Sequence, residues 1–148
     1  MAEAQTVAVL FTDLVGSTAR QSEVGDERFD EIRRAHFAVL RDVVDAHQGT
    51  EVKNLGDGLM VVFRSASNAI AAAVAMQVEN DRHGRAHSDL AVGIKVAAAM
   101  GDAVLEEDDW FGTPVVEAAR LCAACESGQR RVTESLRLMA CTRTEAVI

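Results

Sequence analysis

The sequence predicts an α+β domain: an antiparallel sheet with helices packed on one face, in the ferredoxin-like (palm-like) manner. Three observations carry this. Short apolar runs suited to strands alternate with long stretches of helical periodicity. Two of those runs are separated only by "NLGDG", a turn-forming stretch that makes them a hairpin. The order β, α, β-hairpin, α, β, α then places helices against one antiparallel sheet.

Each element has its own warrant. Residues 6–12 read as a fully buried strand, carried by the apolar run from Val7 to Phe11, and a polar loop follows. A long helix spans Asp26 to Gln48, with Phe29, Ile32, His36, Val39, Val43 and His47 at helical spacing and Gly49 as its C-cap. Thr50 to Lys53 and Leu59 to Phe63 are the two arms of the hairpin. A second helix runs from Ser67 to about Arg82, capped by Ser67 or Ser65, with Ile70, Val74 and Val78 on one face. Leu90 to Val104, apolar with glycines at 93 and 101, reads as two strand pieces or one bent strand. After the acidic loop "EEDDWFG", Thr113 is an N-cap and Pro114 the first residue of a helix reaching about Glu126. Arg130 to Thr133 suits a strand and Glu134 to Cys141 a last short helix.

A chain of 148 residues, 49% hydrophobic and 26% charged, fits one domain spanning 1–148, and no repeat or linker interrupts it. The net charge of -8 excludes a nucleic-acid binder that works through bulk charge, since phosphates are neutralised by clustered Lys and Arg. No run reaches the roughly 18 apolar residues of a membrane span, and the N-terminus has no signal pattern, so the expected location is cytoplasmic. Three cysteines, an odd number, suit a reducing compartment. Cys122 and Cys125 form a C-x-x-C, but on an Ala-rich helix they read as small core residues rather than zinc ligands.

The chemistry begins with Asp13 in "FTDLVGST", a carboxylate where a strand core gives way to a Gly/Ser/Thr loop. In the predicted topology the hairpin tip lies beside the end of that first strand. Asp57 of "GDG" can then face Asp13. Two unpaired carboxylates at one point repel, and one must take up a proton. A divalent cation resolves the conflict, and a carboxylate pair that leaves positions open to phosphate oxygens is how Mg²⁺ is usually held.

"VLFTDLVGST", "KNLGDGLMVVF" and "DDWFGTPVVEAARLCAA" together resemble the catalytic domain of the class III adenylate/guanylate (nucleotidyl) cyclases, of the short bacterial, mycobacterial-like type, over about residues 6 to 140. The resemblance implies the class III cyclase fold and a head-to-tail homodimer, required for activity, with sites built by both chains. It implies that Asp13 and Asp57 bind two divalent ions, Mg²⁺ or Mn²⁺, with a backbone carbonyl near Leu14. It places Lys53 and Asp109 at the purine of ATP, with Asp108 one residue away from the second role, and Arg120 at the transition state. Adenine offers an acceptor at N1 and a donor at its 6-amino group, which a lysine and a carboxylate match; guanine presents the reverse.

The expected reaction converts ATP to 3′,5′-cyclic AMP and pyrophosphate, through attack of the ribose 3′-hydroxyl on the α-phosphate. Two departures from the family pattern stand out. Val116 occupies the position of a ribose-orienting asparagine, and the chain ends at Ile148, short of a closing hairpin that carries a triphosphate-binding lysine. Arg130 and Arg131 are the nearby basic alternatives. A catalytically weak nucleotide-binding or dimerisation module is the competing reading, and a diguanylate cyclase the third. His83 and His87 at i, i+4 read as a solvated helix end, Trp110 and Phe111 as packing residues of a dimer interface in preference to a stack on the purine, and Glu106 to Asp109 as a solvated loop apart from one member.

Overall fold

The computed structural model describes residues 3–126 and 128–143. Its elements are β1 (Ala4–Val15), α1 (Ser17–Val24), α2 (Asp26–Ala46), β2 (Thr50–Asn54), β3 (Leu59–Phe63), α3 (Ala66–Ala86), β4 (Gly93–Glu106), β5 (Asp109–Phe111), α4 (Thr113–Ala124), β6 (Arg130–Val132) and α5 (Glu134–Arg143), with a short 3₁₀ turn at Ser88–Leu90. The sheet runs β2-β3-β1-β4-β5, all antiparallel, and β6 joins β4 in parallel. This is the predicted α+β, ferredoxin-like order. β1 and β4 form its spine, paired from Ala4 opposite Val104 to Val15 opposite Gly93.

Strand alternation divides the core in two. Ala8 and Leu10 of β1 point to α2, α3 and α5, where Phe37, Leu40, Ile70, Met76 and Leu136 pack. Val7, Val9 and Phe11 point the other way, to Trp110, to Ala118 and Cys122 of α4 and to Cys125, its C-cap. Helices therefore cover both faces, which corrects the expectation of one. The small residues of α4 allow close approach: the Cys122 thiol lies 3.7 Å from the Phe11 carbonyl and the Cys125 thiol 3.6 Å from that of Val96. Burial pushes the Cys122 thiol up to about 12, so it is inert at neutral pH. Cys141 and Ile148 lie outside the described side chains.

Four local expectations also change. The polar loop after β1 is mostly helix α1, which escaped notice because it buries no residue and has no apolar stripe. Helix α2 ends at Ala46, and Gln48 rather than Gly49 adopts the left-handed φ of 56°. Gly49 is needed for space instead, since a Cβ there would meet the Phe63 ring at 2.7 Å. Residue 112 rather than Thr113 is the N-cap of α4. The solvated acidic loop is a tight hairpin turn, with Glu107 and Asp108 both at positive φ between paired Glu106 and Asp109.

Between α2 and α3, His36 is buried and burial lowers its imidazole to about 4, so it is neutral. Its Nδ1 meets Asn80 Oδ1 at 3.0 Å, and Asn80 Nδ2 donates to the Val92 carbonyl at 2.9 Å, which assigns the proton to Nδ1. The sequence reading of His36 as a core position holds. The His83 and His87 rings lie 5.0 Å apart, tilted by 46°, at the end of α3, and no group of three or more His, Cys, Asp or Glu that could hold a metal ion occurs among the described residues.

Candidate active site

Asp13 is a part-buried position near the end of β1, between buried Thr12 and Leu14, and Asp57 sits at the tip of the β2–β3 hairpin. Three contacts bring them together. Leu14 N–H donates to the Asp57 carbonyl at 2.8 Å, and Leu59 N–H to Thr12 Oγ1 at 3.0 Å. Gly58 passes so close to β1 that a Cβ would lie 1.8 Å from the Thr12 carbonyl oxygen, so only glycine fits there.

The two carboxylates are close enough to perturb one another. Asp13 is raised from 3.8 to about 6, first by burial, then by the charge of Asp57 and a hydrogen bond between the two side chains. Lys95, directly opposite Asp13 on β4, works in the other direction. No sequence motif marked Lys95; only strand register reveals it. With no third acidic or imidazole group at hand among the described residues, an ion here would have to complete its shell with main-chain oxygen, such as that of Leu14, and with substrate phosphate. The paired, mutually repelling carboxylates fit a divalent ion.

A folded-state pKa above the unfolded one means that the metal-free fold binds a proton the unfolded chain releases. That contribution is present below about pH 4 and lost as pH rises through about 6. The shift sets a ceiling of about 3 kcal/mol, which screening at this partly exposed site reduces to about 1 kcal/mol. We therefore expect wild-type protein in chelator to lose about 1 kcal/mol between pH 4.5 and 7.5 relative to Asp13→Asn, measured by urea unfolding. Equal pH profiles for the two proteins would show that the carboxylates do not oppose each other.

A second cluster forms where the sheet curls until its edge strands meet. A bulge between Glu51 and Lys53 re-aims β2. Lys53 Nζ then donates to Asp109 Oδ2 at 2.9 Å, although β2 and β5 are at opposite ends of the strand order. Of the two adjacent aspartates, the structure brings Asp109 and not Asp108 to Lys53. The Lys53 hydrogen bond holds the Asp109 carboxyl below the usual carboxylate range, which keeps it an acceptor at neutral pH. Its other oxygen accepts from Trp110 N–H at 2.8 Å. Trp110 anchors that strand from within its own core, with the Arg64 guanidinium 5.6 Å from its ring centroid, whereas Phe111 is exposed. The reading of Trp110 as an interface residue is thus corrected.

Arg120 does not join either cluster. Ala118 and Cys122 turn inward from α4, and Arg120, about 200° around the helix from each, faces outward beside exposed Val116. It borders an open cleft of about 490 Å³ with Glu117, Thr133 and Ser135, and makes no ion pair among the described residues. Arg130 and Arg131 border a separate cleft of about 410 Å³ against α3 that includes neither Asp13 nor Asp57. Sequence reasoning missed α1, which starts two residues after the end of β1, the strand that carries Asp13. Gly16 gives it no side-chain cap, so its first N–H groups suit an anion. The signal was present in "GST", small capping-type residues after a strand.

No helix among the described residues is long and apolar enough to cross a membrane. Comparison with known proteins gives a family. Residues 1–145 match the model of the adenylate and guanylate cyclase catalytic domain. A Rhizobium meliloti (strain 1021) protein named "Putative adenylate cyclase 3" is 33% identical over 131 residues, 87% of this chain and 22% of that protein. The Myxococcus xanthus serine/threonine-protein kinase pkn2 is 31% identical over 145 residues, 96% of this chain and 17% of the kinase. The chain thus spans about a fifth of the length of these relatives. Among solved structures, the guanylyl cyclase Cya2 superposes with a TM-score of 0.86 at 21% identity, covering 94% of this chain and 80% of that one. The adenylyl cyclase CyaB from P. aeruginosa gives 0.80 at 20% identity, covering 94% and 82%. With the sequence matched almost end to end, and the fold shared with both adenylyl and guanylyl cyclases, this chain belongs to the adenylate and guanylate cyclase catalytic domain family, the class III nucleotidyl cyclases.

Proposed function

We propose that the chain is an adenylate cyclase domain, converting ATP to cyclic AMP and pyrophosphate at sites shared between two copies. The observation that carries the choice of base is the Lys53–Asp109 pair, a donor beside an acceptor. Adenine takes both groups at its N1 and 6-amino edge. When ATP enters, Lys53 and Asp109 exchange one hydrogen bond with each other for one each with the base. In the same pose guanine would set its N1–H against the ammonium and its 6-oxo group against the carboxylate, so selection comes mainly from its rejection.

Asp13 and Asp57, with the Leu14 carbonyl, would hold two divalent ions, Mg²⁺ or Mn²⁺. When bound, such ions lower the pKa of the attacking hydroxyl and neutralise phosphate charge. The α1 N-terminus receives the triphosphate with its free N–H groups, next to Asp13. Arg120 of the second copy approaches the α-phosphate and stabilises charge on its non-bridging oxygens as pyrophosphate leaves. The outward face of Arg120 supports this division of labour, because within its own chain it turns from the carboxylates.

Val116 favours the second reading, a catalytically weak module. A valine half-exposed beside Arg120 cannot orient a ribose hydroxyl. Incubation of purified protein with ATP or GTP and Mn²⁺, followed by chromatography, separates the readings: cyclic AMP is expected from ATP, and no cyclic product from either nucleotide would leave only the module. Lys53→Glu should lower ATP turnover at least about tenfold, the scale of one lost buried hydrogen bond. Adding Asp109→Ser should raise GTP relative to ATP in the ratio of kcat/KM. A ratio unchanged from wild type would show that the pair does not read the base.

A further inference from the structure

We infer that Arg33 of α2 is a positioning residue that locks the peptide carrying Asp57, and so sets how tightly the Asp13–Asp57 pair takes a divalent ion. The inference rests on the reading of those carboxylates as metal ligands. The hairpin closes through Leu55 N–H to the Gly58 carbonyl at 2.8 Å, which leaves Gly56 and Asp57 as the two turn residues. Gly56 has φ of 97°, while Asp57 is not among the residues at positive φ. Those signs are the II′ pattern, with glycine in the first central position.

The peptide between Gly56 and Asp57 is the centre of that turn. Its flip would carry the turn toward I′, put Asp57 at positive φ and swing the carboxylate away from Asp13. Arg33 Nη1 donates to the Gly56 carbonyl, the oxygen of this very peptide, at 2.7 Å. Its Nη2 is held by Asp30 Oδ1 at 3.1 Å, which fixes the guanidinium from its own helix. The Asp57 side chain is exposed and, among the described residues, has no fastening apart from Asp13. Its pose therefore depends on the peptide plane, and a charge-assisted bond is the strong kind of tether for such a plane.

The test uses Mn²⁺ alone, titrated into nucleotide-free protein and followed by the electron paramagnetic resonance of the free ion. Arg33→Met should weaken Mn²⁺ binding about tenfold or more, as loss of an outer support commonly does, and Arg33→Lys should recover part of it by donating to the same carbonyl. Arg34→Met is the control, since among the described residues Arg34 bonds the Asp30 carbonyl and not the hairpin. In metal-free protein the Leu14 and Leu55 amides, which bond the hairpin, should exchange faster in Arg33→Met than in wild type. If Asp57→Asn loses Mn²⁺ but Arg33→Met binds within about twofold of wild type, the role of Arg33 is overturned while the metal reading stands. If Asp57→Asn binds Mn²⁺ as wild type does, the metal reading falls; unchanged amide exchange in Arg33→Met would then remove the brace as well.

Discussion

Asp13→Ala and Asp57→Ala are each expected to abolish cyclisation of ATP while the protein stays folded. The effect is large because the ions would do their work through both carboxylates: removing either ligand loses several kcal/mol of transition-state stabilisation, on the order of a thousandfold or more in rate. Stability should move the other way. Asp13 and Asp57 repel in the metal-free protein, and burial together with the charge of Asp57 raises Asp13 to about 6, so removing either charge relieves a conflict at neutral pH. A loss of activity together with equal or higher resistance to urea in chelator is therefore the expected signature. Near-normal turnover in both variants, measured over a range of Mn²⁺, would dismiss them as metal ligands.

The opposition between function and stability was legible in the sequence, because it follows from residue type and topology alone. An apolar run ending in Asp13, and a hairpin with Asp57 at its tip, converge once the chain is wound β, α, β-hairpin, α. Less legible was everything that depends on how far the sheet bends. Lys53 and Asp109 come from strands at opposite ends of the order, and only the curl and the bulge before Lys53 join them. Resemblance linked the two residues; periodicity could not. Helix α1 lacked the apolar stripe by which helices are found, and α4 reached the second face because Ala118, Cys122 and Cys125 are small, a property that hydrophobic spacing does not weigh. The Glu107–Asp108 turn was hidden because neither residue is the glycine or asparagine that usually marks two positive φ angles.

Arg120 gives the other large effect, and it tests how the site is divided between chains. Arg120→Ala alone should lower turnover about a hundredfold to a thousandfold, the usual scale for a lost donor at developing charge, without changing metal binding. Asp13→Ala alone should also be inactive. In a head-to-tail dimer each site takes Asp13 and Asp57 from one copy and Lys53, Asp109 and Arg120 from the other. A heterodimer of the two variants then has one site with both defects and one with neither. Mixing equal amounts should form heterodimers as about half of all dimers if subunits exchange freely, and each carries one intact site of two, so activity should return to roughly a quarter of wild type. The alternative geometry forbids this: if Arg120 served the carboxylates of its own chain, every site in the mixture would keep one defect. Measured against each variant alone, with subunit exchange shown by a mass-tagged partner, recovery requires that the outward-facing Arg120 of α4 reaches across to the other copy. Silence in the mixture would return Arg120 to its own chain, and α4 would have to turn about its axis to bring it there.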